Sequence, residues 1–287
     1  MVVFPNAKIN IGLNVLSKRK DGFHNLETVL YPIVYNDILE ILEDKSASVA
    51  KGKRTEKPEK IVPYTFQHSG GKIPGKQDEN ICIRAYNLLE ADFKLPPVSI
   101  YLHKLIPIGA GLGGGSSDGA FTLKLLNDQF KLGLKITELE SYAKKLGSDC
   151  PFFIQNKPVY ANGRGDKFEN INLDLSEYNI VLITPPIHIA TAEAYAKVVP
   201  SEPGYSLKDL IKQPILNWKK KMHNDFETTI LRKYPDISNI KKELYKKGAV
   251  YVSMSGSGST VYGLFNAKEN FKGEFKGCKV HWVSSSI

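Results

Sequence analysis

Residues 107–118 read Pro-Ile-Gly-Ala-Gly-Leu-Gly-Gly-Gly-Ser-Ser-Asp, and no other run constrains this 287-residue chain as much. Gly109, Gly111, Gly113, Gly114 and Gly115 crowd one turn directly before a helical pattern at 120–127. Glycine accepts positive φ and lets backbone N–H groups approach an anion, so such a turn can form a nest. Ser116, Ser117 and Asp118 stand where a helix N-cap belongs. Unsatisfied amides and the positive end of the helix dipole then point to one place. The run predicts a phosphate cradle. A flexible linker would not pass straight into a compact helix start.

Gly109, Gly111 and Gly114 also spell a literal G-x-G-x-x-G. A dinucleotide fingerprint lies in a first βα turn and is followed about 20 positions on by an acidic residue ending the next strand. Here the run lies a third of the way along the chain, and the residues from Gln129 onward lead into helix-like sequence. No G-x-x-x-x-G-K-[ST] occurs, which excludes a Walker-type loop.

Around this run the chain alternates strand and helix signals. Residues 7–15 alternate apolar and polar types, which predicts a half-buried strand, and 29–33, 37–42 and 98–103 read as further strands. Residues 78–80 can cap a helix over 81–90, and 137–146 predicts another. The charged, proline-bearing stretch from 44 to 64 has no periodicity and predicts an exposed hairpin tip or loop. Beyond a soft boundary near 155 come a glycine turn at 163–165 and strands at 180–183, 249–254 and 261–264. Helices are predicted near 191–198 and 237–246. Without a regular βαβ rhythm the pattern is α+β.

Two more segments can carry chemistry. Lys8 and Asn10, in Pro-Asn-Ala-Lys-Ile-Asn at 5–10, project from one face of their strand. In Leu-Gly-Ser-Asp-Cys-Pro-Phe-Phe at 146–153, Asp149 follows a helix-ending glycine and precedes a proline and two aromatics, a partly desolvated setting. The Ser-Gly-Ser-Gly-Ser cluster at 255–259 reads equally well as a hairpin turn.

The formal charge of +9 fits anionic substrates, nucleic acid or a lysine-rich solvated surface, and decides nothing alone. Cys82, Cys150 and Cys278 are odd in number and far apart, which argues against a disulfide framework or a zinc site and for a reducing compartment. There is no membrane-spanning apolar run and no secretory signal pattern at the N-terminus. The reading is cytoplasmic, with no membrane partner.

Together these blocks, with Asp-Gly-Phe-His at 21–24, resemble the GHMP kinase superfamily (galacto-, homoserine, mevalonate and phosphomevalonate kinases) from residue 5 to about 260. The resemblance implies a ribosomal-S5-like N-terminal domain over 1–155 that binds ATP and a ferredoxin-like C-terminal domain over 156–287 that binds substrate. It assigns ATP to Lys104 and to Pro107, Ile108, Gly109, Ala110, Gly111, Leu112, Gly113, Gly114, Gly115, Ser116 and Ser117. It gives Lys8 and Asp149 the catalytic roles, and Asn10, Phe23, His24, Thr191 and Tyr195 to a small phosphorylated nucleotide substrate. Phe23 and Tyr195 would flank a cytosine whose edge His24 reads, and the 2-hydroxyl of an erythritol moiety would receive the γ-phosphoryl group. Mg²⁺ is expected on the ATP phosphates, with its side-chain ligands open. Phe23 stands where that family commonly has tyrosine, and Gly119 where it has alanine. A sister kinase acting on another small alcohol is the nearer rival. A basic RNA-binding module is the rival of another class, and it leaves the glycine run unexplained.

Overall fold

The computed structural model describes residues 1–44, 63–271 and 273–285. The basic stretch at 45–60, and nearly all of the loop predicted from 44 to 64, lie outside the described residues. Among the described residues the strands are β1 (Val2–Val3), β2 (Asn6–Lys18), β3 (His24–Asn36), β4 (Ile38–Glu43), β5 (Tyr64–Gly70) and β6 (Val98–Lys104). They continue with β7 (Val159–Asn162), β8 (Lys167–Asn170), β9 (Asn179–Thr184), β10 (Tyr251–Met254), β11 (Val261–Phe265) and β12 (Lys279–Val283). The helices are α1 (Ile81–Phe93), α2 (Gly114–Gln129), α3 (Ile136–Leu146), α4 (Phe152–Gln155), α5 (Thr191–Ala196), α6 (Leu207–Leu210), α7 (Trp218–Lys221), α8 (Glu227–Lys233) and α9 (Pro235–Lys246).

These elements form two compact units, neither continuous in sequence. One comprises Met1–Pro5, Asn36–Ile106 and Gly114–Gln155, the other Asn6–Tyr35, Pro107–Gly113 and Asn156–Ile287.

The first unit holds a sheet ordered β1-β4-β6-β5, antiparallel except that β5 runs parallel to β6. Strand β6 alternates as the period of 2 demands, burying Val98, Ile100, Leu102 and Lys104. Helix α1 starts where the sequence signalled, with the Asn80 side chain accepting from Cys82 N at 2.9 Å. Its apolar face (Cys82, Ile83, Ala85, Tyr86, Leu89) is buried, and it packs against α2. Gly119 makes that approach possible, because a Cβ there would stand 2.8 Å from Ile81. The glycine therefore answers to Ile81 and offsets its helix-propensity cost of about 1 kcal/mol.

The second unit contains a sheet ordered β2-β3-β7-β8 and an antiparallel sheet ordered β10-β11-β9-β12. Val181, Ile183, Phe226, Ile230, Ile237, Ile240, Leu244, Val252 and Val261 share one core, with α8 and α9 supplying their apolar stripes. Strand β2 departs from its predicted half-burial: every residue from Asn6 to Leu13 is buried, as are Asn14 and Val15. The cover comes from far along the chain. Lys8 N donates to Leu112 O at 3.0 Å, Asn10 N to Ser255 Oγ at 3.2 Å, and Tyr262 OH to Asn10 O at 2.9 Å.

Candidate active site

In the second unit the polar residues of β2 are buried and therefore need partners. Lys8, 4% exposed, donates from Nζ to the side-chain oxygen of Asn10. Asn10 Nδ2 donates to Thr28 Oγ1 at 3.0 Å, and that hydroxyl donates to Gly12 O at 2.6 Å. The chain of bonds orients the Asn10 amide and, through it, the Lys8 ammonium. Neither Thr28 nor its role was legible beforehand, since a threonine in a strand carries no signal of its own.

The loop 107–113 lies against β2 and against the turn 255–260. Gly109, Gly111 and Gly113 have φ of +68°, +79° and +71°, the left-handed region that glycine adopts without strain. A Cβ on Gly111 would stand 1.9 Å from Ser255 O, and Ser255 Oγ donates to Gly111 O at 2.7 Å. Thr260 N donates to Ala110 O at 3.2 Å. The serine–glycine cluster is thus both the β10–β11 hairpin turn and a buttress for the glycine loop. Asn224, which sequence reasoning missed, pins that turn by donating from Nδ2 to Met254 O and Gly256 O at 2.8 Å each. A cavity of about 300 Å³ borders the loop at Pro107–Ala110, with Thr184, His188, Ser259 and Lys279 among its walls. A cavity of about 650 Å³ along α9 contains none of the predicted site residues.

The predicted N-cap is displaced. Helix α2 begins at Gly114, so Ser116, Ser117 and Asp118 lie within its first turns rather than ahead of it. Gly114 fits because a Cβ there would meet Ile106 at 2.8 Å and Lys104 Nζ at 3.3 Å. Lys104, expected at ATP, is only 2% exposed. Its Nζ donates to Asp37 Oδ2 and, at 2.7 Å, to Asp118 Oδ2, while Asp37 Oδ1 accepts from Leu105 N and Ile106 N at 2.6 and 2.9 Å. With its ammonium held by two carboxylates, Lys104 supports the start of α2 from beneath.

Burial works against the Lys104 ammonium, yet the two carboxylates outweigh it and raise its pKa. Burial pushes the Asp118 carboxyl up to about 8: Lys104 pulls it down, but the negative charge of Asp37 beside it pushes it up again. Asp118 Oδ1 and Ser117 Oγ are buried with no hydrogen-bond partner among the described residues.

Asp149 lies between α3 and α4, half-buried as its flanking residues foretold. Its neighbour Cys150 is fully buried, and burial pushes that thiol up to about 11, which makes it an inert packing residue. Asp149 belongs to the first unit and Lys8 to the second.

The four predicted substrate residues besides Asn10 all fall in the second unit. His24 and Tyr195 stack with ring centroids 4.9 Å apart at 21°, and Tyr195 meets Phe226 edge-on at 4.8 Å. Thr191 opens α5 and is exposed. Phe23 is 51% exposed, and the guanidinium of Arg164 lies over its ring. Residues 163–165 had read only as a turn, so Arg164 was not anticipated. All three cysteines are free thiols, no described helix is long and apolar enough to cross a membrane, and the described residues contain no metal-ligating cluster of three.

The sequence matches the GHMP kinases N terminal domain over residues 80–157 and GHMP kinases C terminal over residues 206–276. It is 49% identical over 271 residues to a 4-diphosphocytidyl-2-C-methyl-D-erythritol kinase of Bacteroides fragilis, covering 94% of this chain and 93% of the relative. It is 50% identical over 269 residues to the Cytophaga hutchinsonii enzyme of the same name, covering 93% of each. A crystal structure of 4-(cytidine 5'-diphospho)-2C-methyl-D-erythritol kinase superposes with a TM-score of 0.78 at 27% identity, covering 99% of both chains. A mevalonate kinase structure shares the fold at a TM-score of 0.69 and 15% identity, covering 99% of this chain and 98% of that one. The α+β organisation, the buttressed glycine loop and relatives matched nearly end to end agree: the chain belongs to the GHMP kinase family.

Proposed function

We propose that the protein transfers the γ-phosphoryl group of ATP to the 2-hydroxyl of 4-diphosphocytidyl-2-C-methyl-D-erythritol, a step of non-mevalonate isoprenoid precursor synthesis. The observation that carries the substrate is the identity of about half over nearly the whole length of relatives bearing that name. The observation that carries the chemistry is the glycine loop, with positive φ at Gly109, Gly111 and Gly113 and no room for a Cβ at Gly109 and Gly111.

In this reading the amides of residues 109–115 and the first turn of α2 bind the ATP phosphates, because N–H groups and the helix dipole both favour anions there. Lys104 holds that turn in place from below. Asp149 accepts the proton of the attacking hydroxyl, a contribution of about 10²–10⁴ in rate for a positioned base. Lys8, oriented through Asn10 and Thr28, stabilises charge on the moving phosphoryl group. The cradle would hold the triphosphate of ATP, and Mg²⁺ carried on those phosphates would neutralise part of their charge. Phe23 and Tyr195 supply rings to flank the cytosine, for which stacking is worth about 1–3 kcal/mol per base, and His24, itself stacked on Tyr195, reads the base edge.

A coupled ADP-release assay tests the reading. Turnover is expected with the diphosphocytidyl substrate and not with mevalonate or homoserine. Comparable turnover with either of the latter would reassign the protein to a sister kinase.

A further inference from the structure

Arg164 stands out because its position is built while its hydrogen-bonding capacity is not used. Its Cζ lies 3.8 Å from the centroid of the Phe23 ring. Phe23 closes the turn between β2 and β3, Arg164 tips the β7–β8 hairpin, and β3 pairs with β7. Hydrogen bonds from backbone N–H groups tie both tips. Arg19 N donates to Phe23 O at 2.8 Å, Leu26 N to Gly163 O at 2.8 Å, and Arg164 N to Asp166 Oδ1 at 3.0 Å. Gly163 and Gly165, with φ of +68° and +83°, set the hairpin tip that aims Arg164.

The neighbouring Arg19 makes the contrast. Its guanidinium bonds to Asp21 through Nε and Nη2 and to Asn25 through Nη1. The Arg164 guanidinium donates to no acceptor among the described residues; Asp21 feels its charge but is already bonded by Arg19, so the Arg164 N–H groups remain available beside the Phe23 ring. A guanidinium over an aromatic ring can still donate along its edge, and that fork matches phosphate oxygens two at a time.

We propose that Arg164 determines specificity for the phosphorylated nucleotide: placed over the Phe23 ring, its guanidinium binds the diphosphate oxygens of the cytidyl substrate. The proposal rests on the reading of Phe23 and His24 as part of a cytidyl site. In it the rings of Phe23, His24 and Tyr195 serve the base, and Arg164 serves the charge that distinguishes a diphosphate from a nucleoside.

Calorimetric titration with CDP and with cytidine separates the two roles. Arg164→Ala and Arg164→Gln should each weaken CDP about tenfold and change cytidine by less than about twofold. Arg164→Lys, which keeps the charge without the fork, should fall between. KM for the cytidyl substrate should follow CDP, while KM for ATP and the thermal midpoint stay put. Equal losses for CDP and cytidine would reduce Arg164 to a prop for Phe23 and overturn the proposal, as would undiminished CDP binding by Arg164→Ala. If the wild-type protein bound neither probe and turned over another alcohol, the cytidyl reading itself would fall and take the proposal with it. That failure shows in the wild-type measurements alone.

Discussion

The glycines at 109–113 and the glycine at 115 look alike in sequence and answer to different demands. Gly111 has a positive φ and no room for a Cβ, with Ser255 O only 1.9 Å from where one would sit. Gly109 has a positive φ and the His188 ring 2.8 Å from its missing Cβ. Gly115 sits in the first turn of α2, is exposed, and its Cβ would meet nothing within 4 Å. The protein's own backbone thus dictates the first part of the run and is indifferent to the last. What an indifferent position spares is close approach by a ligand, which is how the phosphate reading accounts for Gly115.

Substitution can break this contrast. Gly111→Ala should have the largest effect, a loss of more than about 3 kcal/mol of stability, because strain and a backbone clash add. Chemical denaturation showing a wild-type midpoint for this variant would remove the distinction altogether. Asp149→Asn marks the opposite pole, with chemistry lost and shape kept. Its kcat should fall by about two orders of magnitude or more, with the thermal midpoint and both dissociation constants little changed. Near-native turnover would leave Asp149 a helix-end residue.

Asp118, three residues past Gly115, tests how the start of α2 is held. Burial pushes its carboxyl up to about 8, while an unfolded aspartate releases its proton at about 4. Between those values the native state keeps a proton that the unfolded chain has released. Stability should therefore fall as pH rises, by up to about 1.4 kcal/mol per unit. Asp118→Asn is neutral without having to hold a proton and leaves Lys104 paired with Asp37. The variant should be the more stable at neutral pH, and its advantage should shrink toward pH ~4. Parallel pH profiles for the two proteins would show that the carboxyl is ionised throughout. The smallest effect belongs to Gly115→Ala. Its helix should gain up to about 1 kcal/mol from propensity. KM for ATP should rise about fivefold, close to 1 kcal/mol. An unchanged KM would free Gly115 from any part in phosphate binding.

What could be read from the sequence was whatever acts locally. Helix α3 and strands β4, β6, β9 and β11 fall within a residue of their predicted bounds, because periodicity and caps lie inside each segment. The residues about 20 positions past the glycine run form no strand, as the rejection of a dinucleotide site required. Strand β5 was missed, since Tyr-Thr-Phe-Gln-His-Ser-Gly follows a charged stretch and is weakly apolar. The start of α2 was misplaced by treating Gly114 and Gly115 as loop, although one packs on Ile106 and the other is an open first-turn position. The network of Lys104, Asp37 and Asp118 could not be read, because Asp37 is 67 residues from its lysine. Asn224 and Arg164 were invisible for the same reason: their partners lie in other strands and turns.

The stitching of β2 to the turn 255–260 also sets an order of events during synthesis. Asn10 leaves the ribosome 245 residues ahead of Ser255 and 252 ahead of Tyr262, the groups that complete its backbone hydrogen bonds. At about 5–20 residues per second that interval is roughly 10–50 s. Throughout it, a strand carrying Ile9, Ile11 and Leu13 is without its final cover. The segments Asn36–Ile106 and Gly114–Gln155 of the other unit emerge inside the same interval and can fold first. The strand that bears Lys8 is among the first parts of the chain to be made and among the last to be enclosed, which makes nascent chains short of residue 262 the species most in need of a chaperone.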